Sequence, residues 1–351
     1  MTIDAGIRRN RVLKLIINTY ITSGNPVSSR TICAHSMLGL CPASIRNIMA
    51  DLEEQDLITH LHTSAGRIPT DKGYRFYVDN FLSNVQLSVQ DQLEIADEYI
   101  KKQLVLEEII AKTSQILSDF THCAGVISLP LIKRGCFKVI RFIDLGTKKV
   151  CITLITDLGI TKSLVVCMDI EVSGEVLKKV ENFMNSQLKD VPLVQIKTKL
   201  RKMMIGETHS LFYIFKQALE LIDLSALVKR DLQVYFEGIS NILSFSEFTN
   251  SEMMCEFVKI MDEKSDFIKL MQDVIDNDQA GTTKVKVLIG NEKPEEIMED
   301  CTVILSTYKV NSRCIGALGV IGPRRMNYAR SIATVEYVAD HLSDLLDKFS
   351  F

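Results

Sequence analysis

Two groups of polar residues near the N-terminus could do chemistry, and both suit hydrogen bonding to a polyanion better than bond making. The first is Ala43, Ser44, Arg46 and Asn47, at the start of Pro42-Ala43-Ser44-Ile45-Arg46-Asn47-Ile48-Met49-Ala50-Asp51-Leu52. An Asn amide pairs bidentately with an adenine edge, and an Arg guanidinium with guanine or a phosphate. The second is the run His60-Leu61-His62-Thr63-Ser64-Ala65-Gly66-Arg67, small at its tip and followed by Lys72 and Arg75. Small residues let backbone N–H groups approach a phosphate closely, and Gly66 supplies a left-handed position if the turn needs one. Arg67, emerging beside such a tip, would meet a phosphate or the minor groove. His60 and His62 share one face of a strand, but no further ligand type stands near them. They therefore read as solvated or phosphate-facing, not as metal ligands.

The elements that must carry these residues follow from the pattern around them. Val12, Leu13, Ile16, Ile17 and Tyr20 form a helical stripe between Arg8 and Thr22, ended by Ser23-Gly24-Asn25-Pro26. Ser28 or Ser29 caps a second helix reaching about Ser36, and Gly39 centres a tight turn. Pro42 suits a first helical position. With Ile45, Ile48, Met49 and Leu52 facing a core, Ala43 and Asn47 point away from it, flanked by Ser44 and Arg46. Leu57 to His62 reads as a strand, Pro69 as the end of an edge strand, and Thr70 as the cap of a fourth helix with an aromatic stripe of Tyr74, Phe76, Tyr77 and Phe81. Three helices and a small-tipped hairpin are the order of a winged helix-turn-helix, which lays one helix in the major groove and touches phosphates with the wing. The predicted contact set is Ser28, Ser29, Ala43, Ser44, Arg46, Asn47, His62, Ser64, Gly66, Arg67 and Lys72.

Composition narrows the rest. A chain of 351 residues with 46% hydrophobic and 24% charged residues is long enough for two or three cores. No apolar run reaches the ~20 residues of a membrane span. The N-terminal segment lacks the pattern of a secretory signal, so the expectation is a cytoplasmic protein. Nine scattered cysteines without a Cys-x-x-Cys pair read as small buried hydrophobes in a reducing compartment. Residues 1–75 carry nine Lys or Arg against six Asp or Glu, whereas the whole chain has a net charge of −3. A basic head on an acidic body suits a nucleic-acid reader.

Beyond the head, Ser88 opens a charged helix and a second runs from about Val105 to Thr121. Strands are expected at 124–128, 138–144, 149–156 and 160–166, with a turn at Asp157-Leu158-Gly159 and a helix at 174–188. Residues 191–279 are mostly helical in pattern, for example Leu211–Leu224 and Ser251–Ile275, around one strand-like run at Val234–Phe245. Strands resume at 285–289, 301–308 and 313–320, before a terminal amphipathic helix from about Asn327. Gly316, Gly319 and Gly322 lack the spacing of a phosphate-binding loop and read as close backbone packing. Arg324 and Arg325 read as solvated loop charges. No nucleophile with a base, paired acids or metal set appears. His122, His209 and His341 stand alone, and neither catalysis nor a cofactor is expected.

These residues resemble the heat-inducible transcription repressor HrcA family. The resemblance rests on Gly24-Asn25-Pro26-Val27-Ser28-Ser29-Arg30-Thr31, Pro42-Ala43-Ser44-Ile45-Arg46-Asn47, and above all His62-Thr63-Ser64-Ala65-Gly66-Arg67-Ile68-Pro69-Thr70-Asp71-Lys72-Gly73-Tyr74-Arg75. It extends to Gly316-Ala317-Leu318-Gly319-Val320-Ile321-Gly322-Pro323 and Met326-Asn327-Tyr328-Ala329-Arg330. Cys41 departs from the family, which usually has a capping Ser there. The resemblance implies an α+β chain: a winged helix-turn-helix over 1–80, a helical linker over 81–104, and a GAF-like domain over 105–190 and 280–351. An inserted, mostly helical dimerising domain would occupy 191–279. It also implies a homodimer on double-stranded DNA, at an inverted-repeat (CIRCE-type) operator of chaperone genes, with activity modulated by the GroE chaperonin. An alternative keeps the DNA module and makes the GAF-like body a small-molecule sensor.

Overall fold

The computed structural model describes residues 5–35, 39–60, 66–100, 106–131, 134–167, 172–204, 232–245, 248, 265–278, 285–292 and 300–349. Its first unit is built from α1 (Ala5–Ser23), α2 (Ser29–His35), α3 (Pro42–Glu54), β1 (Ile58–His60), β2 (Arg67–Pro69) and α4 (Asp71–Phe81). The α1 stripe of Val12, Leu13, Ile16 and Ile17 is fully buried, as its spacing requires. Gly24 ends the helix at φ 66°, its N–H bonding the Tyr20 carbonyl at 2.8 Å. The Ser28 hydroxyl accepts from Thr31 N at 3.1 Å and so is the cap of α2. Ile45, Met49 and Leu52 of α3 are buried, whereas Ile48 is only half-buried. β1 and β2 pair antiparallel, His60 opposite Arg67, and Val27 bridges the other edge of β2 through reciprocal 2.8 Å bonds with Arg67. Thr70 caps α4, accepting from Gly73 N at 3.0 Å.

The body is organised by a five-stranded antiparallel sheet. Its strands are β3 (Ala124–Ser128), β7 (Val234–Glu237), β8 (Lys286–Ile289), β9 (Cys301–Val310) and β10 (Arg313–Pro323), in the spatial order β7-β3-β10-β9-β8. β3, β9 and β10 are buried almost throughout, because helices cover both faces. On one face lie α6 (Leu106–Thr121) and the long C-terminal helix, sharing a core with the N-terminal unit and with α5 (Val89–Ile100). Phe267, Leu270, Met271 and Val274, from the helix Ser265–Asn277, fill the other face. Gly316 and Gly319 sit where a side chain could not. A Cβ would lie 2.3 Å from the Tyr308 ring at the first and 1.9 Å from the Ile304 carbonyl at the second. The close-packing expectation for these glycines is met.

A second, three-stranded sheet stands apart, made of β4 (Phe137–Asp144), β5 (Lys149–Thr156) and β6 (Thr161–Cys167) in sequential antiparallel order. Phe137, Ile140, Val150, Ile152 and Leu154 pack against α7 (Gly174–Leu188) and α8 (Leu193–Met204) to form its own core. The other face is open: Ile143 and Val165 are 52% and 55% exposed. Arg313 of β10 joins the two sheets, donating to the Asp157 carboxylate of the β5–β6 turn and to Cys136 Sγ.

This division differs from the sequence expectation. The strands at 137–167, expected in the main domain, form the separate three-stranded sheet, while Val234–Glu237 and Ser265–Asn277, expected in the insertion, belong to the five-stranded sheet and its cover. Period-2 patterning finds a strand but carries no record of which sheet it joins. The expected strand Val234–Phe245 also breaks. Gly238 turns left-handed at φ 70°, and the short helix α9 (Ile239–Leu243) follows, so Ser265–Asn277 is α10 and Tyr328–Phe349 is α11. The predicted helix Leu211–Leu224 lies outside the described residues. Among the described cysteines Cys123, Cys301 and Cys314 are buried, but Cys41 and Cys167 are exposed. Cys167 ends an edge strand, where alternation turns it outward.

Candidate nucleic-acid interface

The sequence sets the outward face of α3 against a buried one. Ala43, Arg46 and Asn47 are exposed on the first two turns, opposite Ile45, Met49 and Leu52. Among the described residues no carboxylate lies within ion-pair distance of Arg46. Cys41 stands at the N-cap in extended backbone and makes no side-chain cap bond. Its Sγ instead lies 3.3 Å from Ser44 Oγ. That hydroxyl, with the backbone N–H of Ser44, draws the thiol below its ordinary value.

Arg67 is placed by an acid that sequence reading missed. Glu53, on the last turn of α3, accepts from Arg67 Nε at 2.9 Å and lies 2.8 Å from Arg67 Nη2. The same carboxylate takes His60 Nδ1 at 2.5 Å, so His60 is not simply solvated. Partial burial raises the Glu53 carboxyl, but the hydrogen bonds from His60 and Arg67 together outweigh it and hold the group below the usual carboxylate range. Glu53 was hidden because its partners lie 7 and 14 residues away and meet it only once the hairpin register is known.

Gly66 differs from its expected role. It is not among the left-handed residues; it is required because a Cβ there would lie 2.6 Å from the Pro26 carbonyl. The Val27–Arg67 rung brings the two strands that close. Lys72 is exposed, Ser29 is half-buried, and the Ser28 hydroxyl is engaged in capping. His62 and Ser64 lie outside the described residues.

Arg75, expected to add charge beside the hairpin, points into the body instead. Its Nε donates to Glu292 Oε1 at 2.8 Å and its Nη2 to the Val287 carbonyl at 2.6 Å. Glu292 raises the affinity of the guanidinium for its proton. Asp71 lies 3.3 Å from Arg324 Nε, and the buried Tyr74 ring sits 5.3 Å from that of Tyr328. Arg325 lies over the Phe245 ring at 5.1 Å, so neither loop arginine is simply solvated. The two most distinctive runs of the sequence, around 71–75 and 322–328, therefore meet. Their opposite charges, Asp71 and Arg324, were the available signal. Tyr77 serves the N-terminal unit itself, donating to Asn18 Oδ1 at 2.8 Å.

Elsewhere, a groove of about 360 Å³ runs between α5 and α6, lined by Glu94, Asp97, Glu98, Lys112 and Asp119 among others. Lys112 is ion-paired to Glu98. Among the described residues no cluster of His, Cys, Asp or Glu could hold a metal ion, and no helix is long and apolar enough to cross a membrane.

Comparison with known proteins assigns the whole chain. The family model described as the HrcA protein C-terminal domain matches residues 107–332. A heat-inducible transcription repressor HrcA from Geobacter sulfurreducens is 35% identical over 98% of this chain and 99% of its own length. Its counterpart from Syntrophobacter fumaroxidans is 32% identical over 98% of each chain. Among solved structures, a hypothetical protein determined by crystallography matches with a TM-score of 0.59 at 21% identity, covering 98% of this chain and 99% of that one, which supports the fold. With relatives of that name matched from end to end, the chain belongs to the HrcA family of heat-inducible transcription repressors.

Proposed function

We propose that α1 to α4 and their hairpin act as a winged helix-turn-helix, and that the chain represses chaperone operons as a homodimer bound to an inverted-repeat (CIRCE-type) operator. The observation that carries this reading is the face of α3. Arg46 and Asn47 project from the first two turns with no acid claiming Arg46 among the described residues, and the Arg67 hairpin packs against the same helix. Side chains at the start of such a helix reach base edges in the major groove. Ser29, Ala43, Ser44, Gly66, Arg67 and Lys72, with His62 and Ser64, would supply backbone and phosphate contacts; Ser28 would do so while still capping α2.

The body reads as a GAF-like domain carrying the inserted sheet. The open apolar face of that insertion, with Ile143 and Val165 half exposed, supports its role as the dimerising surface. Two such readers related by a two-fold axis require a palindromic site. Heat control needs no sensor residue. A marginally stable dimer that depends on the GroE chaperonin, and loses it to unfolded clients at high temperature, is sufficient.

Footprinting on duplexes carrying and lacking an inverted repeat tests the reading. Protection of two half-sites is expected. The variants Arg46→Ala and Asn47→Ala should each lose about 1–3 kcal/mol of operator affinity while binding random duplex as before. Unchanged operator affinity in both would overturn it. Operator binding after refolding with and without GroE tests the chaperonin link, and equal recovery would remove it.

A further inference from the structure

The linker helix α5 is apolar on two faces, and only one of them is used. Ile95 and Tyr99 are buried against the body, with the Tyr99 hydroxyl donating to Thr113 Oγ1 at 2.8 Å. Arg330 pairs with Asp91, and Tyr337 OH donates to the Gln92 carbonyl, so the helix is fixed onto α6 and α11. Its other apolar stripe consists of Val89, Leu93, Ala96 and Ile100. Val89, Leu93 and Ile100 are 73%, 62% and 76% exposed. At 100° per residue these four positions fall within one narrow sector, the seam of a coiled coil. A single exposed apolar residue needs no explanation, but a continuous seam on a helix held rigidly by its other side does.

We infer that this seam is a second contact between the two copies of the chain, α5 lying antiparallel against α5 of the partner subunit. The spacing of the four positions is the same read in either direction. A two-fold axis across the helix therefore sets Val89 against the partner's Ile100, and Leu93 against the partner's Ala96, a large residue on a small one. The rim residue Gln90 then faces the partner's Asp97, an amide opposite a carboxylate, while Gln92 lies on the opposite rim. Three exposed side chains and an alanine fall far short of the roughly 800 Å² per partner that a free-standing interface buries. Such a seam closes only for an occupant already held nearby, which selects a second copy joined elsewhere over an independent protein. The inference thus rests on the homodimer reading above. Because α5 follows the reader within a few residues, its pairing would fix the separation and orientation of the two α3 helices.

Disulfide trapping tests it in the full-length chain, with the exposed Cys41 and Cys167 changed to Ser. The double variant Val89→Cys/Ile100→Cys should form a covalent dimer on mild oxidation at least about tenfold faster than Gln90→Cys/Glu94→Cys, whose side chains flank the seam, reflecting the higher effective concentration across a closed contact. Leu93→Glu should leave the melting temperature and the sedimenting mass unchanged and weaken operator binding about tenfold or more, as expected when two linked readers lose their fixed spacing. A sedimenting dimer with equal trapping rates would overturn the α5 contact and leave the homodimer standing. A sedimenting monomer would overturn both.

Discussion

Glu53 Oε2 accepts Arg67 Nε at 2.9 Å while Glu53 Oε1 holds His60 at 2.5 Å, so one carboxylate at the end of α3 fixes both strands of the hairpin. Arg67 spends Nε and Nη2 on Glu53, and Nη1 makes no bond among the described residues. An arginine held this way is pre-oriented at little further entropic cost on binding. If it meets a phosphate through Nη1, Arg67→Ala should weaken binding to every duplex and reduce the slope of log affinity against log salt by about 0.9. Titrations at several salt concentrations read both effects. A slope identical to that of the parent would remove Arg67 from the phosphate contacts.

The same triad has an acid limit. Glu53 is held below its usual range in the folded protein, so the unfolded chain takes up its proton first as pH falls. The stability contributed by the paired carboxylate is therefore fully present above its unfolded value of about 4.3. It is lost as pH drops through the folded value. Melting of the full chain should show a decline below about pH 4.3 that is shallower in Glu53→Gln, which has no proton to gain there. Parallel curves for the two proteins would show that the carboxylate is not linked to folding.

The Arg75 cluster fastens the N-terminal unit to the body. Arg75 is 30% exposed at its side chain and bonds both a carboxylate and the Val287 carbonyl. Arg75→Ala leaves that carbonyl and Glu292 short of a donor and should cost about 1–3 kcal/mol. Arg75→Lys should recover little, because an ammonium cannot serve the two acceptors in the planar geometry of a guanidinium. Calorimetry should show the N-terminal unit melting ahead of the body in Arg75→Ala. A single transition, shifted no more than that of an exposed control, would mean that the clamp does not couple the two.

Much of this was legible because it is local. Apolar spacing, Gly24-Asn25-Pro26, Pro42 and Thr70 write α1, α3 and α4 directly into the chain, and the helix wheel alone turns Arg46 and Asn47 outward. What stayed hidden is whatever depends on two distant segments meeting. The strands at 137–167 look like those at 301–323, yet they form another sheet. Glu53 looks like any helix-end acid until the hairpin folds back to it. Arg75 lies in a basic run that suits a polyanion, yet Glu292, more than 200 residues away, claims it. Charge alone cannot separate an arginine awaiting a phosphate from one already paired.

Cys41 offers the sharpest local test of the α3 face. The residue occupies an N-cap with the extended backbone of a capping Ser, yet makes no side-chain cap bond. A serine hydroxyl there could accept from the Ser44 N–H, satisfying a donor at the helix start. Cys41→Ser should thus stabilise the protein by about 1 kcal/mol. Operator affinity should rise with it, since Ala43, Arg46 and Asn47 stand on the turns that the cap orders. Cys41→Ala separates this from mere loss of the thiol: it supplies no acceptor and should match the parent in melting temperature. Equal melting temperatures for the Ser and Ala variants would mean that the start of α3 is already ordered by Pro42 and its packing, and that the missing cap costs this chain nothing.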